Sequence, residues 1–204
     1  MERIGEFLPF MLEGSVTTVQ VFVLTLVLSL PLGLPIALGS NSRFKPLSFL
    51  CKIYVWIFRG TPLMLQLWFF YFFFPFNFGI VLDAMATAVL TYVLNYAAYF
   101  AEIYRGGINS IDRGQYEAAH ALGLSKKQTM FDIILPQTMK AILPPVVNEA
   151  ITLVKDTALV SALAVIDLMK ATNSAVNRTT SLTPFFYAAI IYLLMTFVLT
   201  LIAG

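Results

Sequence analysis

Two sets of polar residues interrupt an otherwise apolar chain, and their spacing places each set on one face of a helix. Tyr92, Asn95, Tyr99 and Glu102 recur at intervals of three and four, as do Asn148, Thr152 and Lys155, with Glu149 and Asp156 at the edge of the second set and Thr157 next in line. Residues so spaced share one side of an α-helix. An ionisable group inside a membrane helix costs at least about 2.5 to 3.5 kcal/mol, so it turns toward a partner or a wet cavity rather than toward lipid. The two stripes are therefore expected to face each other. Their chemistry is that of holding: an ammonium, carboxylates, amides and hydroxyls can ion-pair with a polar solute and hydrogen-bond to it. Two internal pairings compete with that use, Lys155 with Asp156 or Glu149, and Glu102 with Arg105. No Asp or Ser pair at catalytic spacing stands out, so an intramembrane enzyme is set aside.

A third polar region, residues 112–136 (DRGQYEAAHALGLSKKQTMFDIILP), is an island between long apolar segments. Asp112 with Gln115 three residues on has the form of a capping box, in which side chains satisfy the orphan N–H groups of a helix start. Gly123 supplies the left-handed position that commonly closes a helix. Ser125 and Gln128 repeat the box, and Pro136 is expected to stop the second helix near Leu135. Ala118, Ala119 and Ala121 leave little bulk along the first helix, so a partner protein's surface could approach its backbone closely.

These sets have to be carried by membrane helices. The chain is 204 residues long, 59% hydrophobic and only 12% charged, whereas about a quarter of a soluble domain is charged. A single cysteine, Cys51, and a single histidine, His120, provide neither a disulfide framework nor a metal cluster. A net charge of +2 without a basic, aromatic-interleaved stripe gives no case for nucleic acid. The first residues carry Glu2, Arg3, Glu6 and Glu13 and lack the basic start of a cleavable signal, so the apolar run after them is expected to stay as an anchor.

With roughly 20 apolar residues needed per span, five segments qualify, at about 16–38, 47–74, 83–104, 138–163 and from 184 onward. The first is expected to bend near Pro31, Gly33 and Pro35. The second is expected to break at Arg59, Gly60, Thr61 and Pro62, with Thr61 capping a restarted helix and Pro62 in its first position. Its aromatic run, 68–74, is expected to face lipid or neighbouring helices. Pro144 and Pro145 are expected to kink the fourth, and the fifth is still apolar at Gly204, which leaves room for a tail beyond. Of thirteen Lys and Arg, eight (Arg43, Lys45, Lys52, Arg105, Arg113, Lys126, Lys127 and Lys140) fall in the loop after the first segment and the stretch after the third. Arg3, Lys170 and Arg178 fall on the other side, and Arg59 and Lys155 within segments. Positive loops stay in the cytoplasm, so the N-terminus is expected outside and the island inside.

Glu117, Ala118, Ala119 and Gly123, followed by Ile133, Leu135 and Pro136, resemble the EAA loop through which ABC-importer permeases dock on their ATPase. Phe58 onward (FRGTPL), Ala97 onward (AAYFAEIYRGG) and Leu153 onward (LVKDTAL) resemble the polar amino acid branch of that family, so the likeness runs through nearly the whole chain. The resemblance implies an all-α membrane protein of the type I ABC importer fold, a single permease domain over 1–204 with a coupling loop at about 106–137, in a bacterial plasma (inner) membrane. It implies an amino acid as solute. Lys155 would then meet the carboxylate, Glu149, Asp156 or Glu102 the ammonium, and Asn95, Asn148, Tyr92, Tyr99 and Thr157 would complete the contacts. In-span acids outnumber in-span bases, which favours a basic amino acid. Arg113, Glu117, Ala118, Ala119 and Gly123 would couple to the ATPase. No phosphate loop G-x-x-x-x-G-K-[ST] occurs, so ATP and Mg are expected on a separate ATPase dimer, the permease itself needing no cofactor. The resemblance also implies a second permease copy or paralogue and an extracytoplasmic substrate-binding protein. The rival reading is a passive amino acid or ion channel or facilitator, for which the stripes alone suffice but the island has no purpose.

Overall fold

The computed structural model describes residues 4–203; Glu2, Arg3 and Gly204, which entered the reading above, lie outside the described residues. Those residues form helices and no strand. The order is α1 (Ile4–Ser40), α2 (Lys45–Gly60), α3 (Leu63–Phe78), α4 (Ala84–Asn109), α5 (Arg113–Ala121) and α6 (Lys126–Gln128). A π-helical turn (Thr129–Ile134), α7 (Leu135–Asp156), a 3-10 stretch (Thr157–Leu163), α8 (Leu168–Thr179) and α9 (Thr183–Ala203) follow. By length and composition Phe7–Ser40, Ala84–Asn109 and Thr183–Ala203 can each cross a membrane, and Lys45–Gly60 with Leu63–Phe78 makes a fourth if the broken pair is one span. The expected fourth segment falls outside that test; α7 carries Lys140, Glu149, Lys155 and Asp156.

Several boundaries differ from the sequence-based expectation, each for a local reason. Helix α1 begins a dozen residues before the apolar run, because a helix does not end where its composition turns polar. The break after α2 lies where expected, but Pro62, not Thr61, is the N-cap of α3, with extended backbone and no capping side chain. The Thr61 hydroxyl is taken instead by the Gln66 amide, which donates to it at 2.7 Å. Pro136 does not stop a helix. The turn before it widens to the π form, with the Leu135 N–H bonding to the Met130 carbonyl, and a widened turn relieves the clash of a proline ring with the carbonyl four residues back. The segment from Lys126 to Asp156 is consequently one continuous helical column, with Pro144 and Pro145 inside it.

The chain divides into two compact units. One comprises the chain up to Leu28, Thr61–Asn95 and the chain from Ala150. Its core joins Phe7 and Met11 of α1 to Leu168, Ala171 and Ala175 of α8 and Ala188 of α9. Here α1 runs so close to the start of α8 that a Cβ on Gly14 would lie 2.6 Å from the Asp167 carbonyl oxygen. The Thr18 hydroxyl fastens the same contact by accepting from the Leu168 N–H at 3.1 Å. The aromatic run of α3 stacks along its own helix, Trp68 on Phe72 and Phe72 on Phe76 at 5.9 and 5.7 Å between ring centres, with all three rings exposed. The other unit comprises Ser29–Gly60 and Tyr96–Glu149. Ala37, Val55, Ala98 and Ala101 form its buried centre, small residues that let α1, α2 and α4 approach closely.

Candidate functional site

In the first unit Gln66 of α3 and Tyr92 and Asn95 of α4 are buried and hydrogen-bonded to neighbouring elements. Tyr92 is fully buried and its hydroxyl donates to the Asp156 backbone carbonyl. Asn95, 3% exposed, donates from Nδ2 to Gln66 Oε1 at 2.9 Å. Gln66 in turn donates from Nε2 to the Thr61 carbonyl and hydroxyl, so an amide relay ties α4 to the first turn of the restarted helix. Gln66 was not among the sequence candidates. Its one signal was that it is the only amide in the otherwise apolar first turns after the break, LMLQLWFF. Asp156 ends α7, and the backbone tightens into the 3-10 form at Thr157, whose buried hydroxyl donates to the Val154 carbonyl at 2.6 Å. Lys155 is exposed on α7, and among the described residues no ion pair joins it to Asp156 or Glu149.

A second buried group in this unit also escaped the sequence reading. Asp167 is wholly buried and caps α8, Oδ1 accepting from the Lys170 N–H at 2.9 Å and Oδ2 from the Met169 N–H at 3.2 Å. Burial pushes its carboxyl up to about 6, against the pull of those N–H groups and of the Lys170 ammonium.

In the second unit the polar groups are charged and half-exposed. Arg105 grips Glu102 with two nitrogens, Nε on Oε2 at 2.9 Å and Nη2 on Oε1. The internal pairing that competed for Glu102 therefore exists in the structure. Arg59, at the end of α2, comes within 4.0 Å of the same carboxylate and lies 5.2 Å from the centre of the Tyr99 ring. These groups border an open cavity of about 520 Å³ lined also by Ser40, Lys52 and Trp56. Farther along, Asn148 is exposed and Glu149 half-buried on α7.

The island belongs to this unit and follows its local chemistry closely. Asp112 is the N-cap of α5, its side chain accepting from the Gly114 N–H at 2.6 Å, but the box expected with Gln115 does not form, because the Gln115 amide oxygen accepts from Gln137 instead. Gly123 has φ of +74°, the left-handed value that lets the chain turn back after α5 without strain. Ser125 and Gln128 form the full capping box, each side chain bonded to the other's backbone N–H. Arg113, Glu117, Ala118, His120 and Ala121 are exposed, whereas Ala119 turns inward and is buried, because a rotation of 100° per residue carries it to the other side of α5 from Ala121. Gln137 of α7 donates to Gln115 of α5 at 3.1 Å and braces the island against the column.

Comparison with known proteins gives a consistent result. Residues 29–204 match the family described as binding-protein-dependent transport system inner membrane component. The chain is 41% identical over 196 residues to the arginine transport system permease protein ArtQ of Bacillus subtilis (strain 168), covering 96% of this chain and 90% of that protein. It is 36% identical to the putative glutamine transport system permease protein GlnP of Rickettsia felis, with 95% and 89% covered, and 35% identical to the L-cystine transport system permease protein TcyB of Bacillus subtilis, with 96% and 84% covered. Among solved structures it superposes on an amino acid ABC transporter crystallised with histidines, with a TM-score of 0.91 at 33% identity over 98% of this chain and 94% of the other. The fold also matches the inward-facing MetNI methionine ABC transporter, with a TM-score of 0.72 at 18% identity over 97% and 92%. The channel or facilitator alternative finds no support in these matches.

Proposed function

The chain belongs to the binding-protein-dependent transport system inner membrane components, and from that premise we propose that its polar sets hold an amino acid in transit while α5 couples their movement to ATP hydrolysis on a separate subunit. It is a permease subunit of an amino acid ABC importer, a transport component and not the ATPase. The polar groups around Asn95, with Tyr92, Lys155, Asp156 and Thr157, supply one set of contacts for the solute. Tyr99, Glu102, Asn148 and Glu149 supply another. Lys155 meets a carboxylate, and the acids meet an ammonium, with a basic side chain best matched to their surplus.

The single observation that carries the coupling role is the island: a short helix, capped at its start and turned back at Gly123, presenting Arg113, Glu117 and Ala118 to solvent on an otherwise apolar chain. We read five spans, counting the broken α2 and α3 as one and α7 as another, with the N-terminus outside and the island in the cytoplasm, in line with the eight Lys and Arg that fall on the island's side. Two ATPase subunits need two islands, so a second permease copy or paralogue pairs with this one, and an extracytoplasmic binding protein delivers the solute. Closure of the ATPase dimer on ATP then moves the islands and rocks the helices between inward-open and outward-open states.

The test is co-purification with the natural ATPase, followed by ATP hydrolysis and uptake in liposomes against a panel of amino acids. Glu117→Lys is expected to lower solute-stimulated hydrolysis at least about tenfold by setting like charge or a lost ion pair at the contact. Association and coupled transport that survive the reversal would reject the docking role, and uptake without ATP would reject the importer.

A further inference from the structure

The cavity between α2 and α4 has a charge balance that the pairing of Glu102 with Arg105 leaves unexplained. Lys52, Arg59 and Arg105 line it against the single acid Glu102, and Arg105 already holds that acid with two nitrogens. Arg59 touches the carboxylate only at 4.0 Å and is kept in place by the Tyr99 ring, with its side chain 40% exposed to the cavity. Lys52, Val55, Trp56 and Arg59 follow one another at intervals of three, one and three, so the two cations lie on one face of α2, two turns apart. A guanidinium presents a planar fork of donors that fits a carboxylate with two parallel bonds.

Two sources can bring such an anion to the cavity, a lipid headgroup and a solute. The ends of α1 and α4 meet where the Asn41 amide donates to Asn109 Oδ1 at 3.2 Å, and the start of α2 is tied to the same end by the Ser48 hydroxyl, which donates to the Ser40 carbonyl at 2.7 Å. From Ser48 to Arg59 and from Asn109 to Tyr99, a rise of 1.5 Å per residue gives about 16 and about 15 Å along the two helices. Arg59 and Tyr99 meet there, the guanidinium 5.2 Å from the ring centre, about three helical turns along α2 and α4 from that shared end. A headgroup and a solute offer the same anionic chemistry to Arg59; the importer reading favours the solute, and the lipid arm of the experiment below separates the two.

We propose that this cavity is an additional station on the transport path, in which the Arg59 guanidinium accepts the α-carboxylate of the amino acid and Lys52 at the rim draws it on. The station rests on the importer reading and adds to it an anion site separate from Lys155. It predicts that recognition in this cavity is of the part common to all amino acids, while side-chain selection lies elsewhere.

The experiment uses the intact permease with its ATPase in lipid nanodiscs without nucleotide. Equilibrium binding is measured for L-arginine and L-glutamine and for their decarboxylated counterparts, agmatine and 4-aminobutanamide. Arg59→Gln is expected to weaken both amino acids at least about tenfold and to leave both counterparts at their wild-type affinity. Arg59→Lys, which keeps the charge but not the fork, is expected to fall between, and it decides the matter if the Gln variant does not assemble. Lys52→Gln is expected to weaken the amino acids about two- to threefold, an effect that disappears at 1 M salt. Unchanged amino acid affinity in an assembled Arg59→Gln complex overturns the station. So do equal losses for amino acids and counterparts, or losses that occur with phosphatidylglycerol in the nanodisc and vanish in phosphatidylcholine alone. If the wild-type complex neither binds nor imports any amino acid, the importer reading falls and the station with it.

Discussion

The two compact units treat polar groups in opposite ways. In the unit holding Tyr92, Asn95, Gln66 and Asp167 these side chains are buried and joined by neutral hydrogen bonds or by backbone N–H groups. In the unit holding Arg59, Glu102 and Arg105 they are ion-paired, part-exposed and gathered around open space. A buried polar group is stable only when satisfied, so the first arrangement fixes helices to one another. Charges around a wet cavity keep their hydration and can exchange partners with a passing ion. The lesson is that the same helix, α4, carries a buried amide contact near Asn95 and lines an open cavity near Glu102.

Substitutions in each unit can break this contrast. Asn95→Ala removes the buried partner of Gln66 Oε1, and losing such a bond costs about 1 to 3 kcal/mol. A fall in melting temperature of the purified complex is expected together with weaker solute binding; a variant that melts and binds as wild type would mean that the amide relay clamps nothing.

Asp167 gives an effect no larger than that, with a definite sign. Its folded pKa of about 6 lies above the ordinary value of about 4, so folding favours the protonated form. Its contribution to stability is therefore full below about pH 4, is lost as pH rises toward about 6, and is absent above, with a span of about 3 kcal/mol at most. Asp167→Asn keeps a capping side chain and should flatten that stretch of a melting-temperature profile. Equal slopes in both proteins would place Asp167 in water.

The smallest effect is expected from Glu102→Gln. The pair with Arg105 has side chains about one-third exposed, 30% and 35%, and ion pairs of this kind contribute about 0 to 1 kcal/mol. A loss of several kcal/mol in chemical denaturation would show that the second unit is built like the first.

Legibility in the sequence followed the range of the interactions. The island's caps at Asp112, Ser125 and Gln128 and the turn at Gly123 were readable because each is settled within a few residues. The break at Gly60 to Pro62 was readable for the same reason, but not its cap, because Gln66 competes for the Thr61 hydroxyl from a full turn away. Pro136 was read as a stop because proline within an α-helix removes a bond; whether the turn before it widens depends on packing that composition does not display. Gln66 and Asp167 were missed since each is a single polar residue in apolar surroundings. Their importance comes from partners distant in sequence or from burial. The type I importer architecture, by contrast, was carried by four motifs in order and is matched across nearly the whole chain.

The unbroken column from Lys126 to Asp156 has a mechanical corollary. A push delivered at its island end cannot be lost in a loop, because no loop intervenes before the backbone retightens at Thr157. Under the proposed coupling, the widened turn at Thr129–Ile134 is where such a push would first meet a departure from regular α-helix, which makes it the place to stiffen or loosen the column.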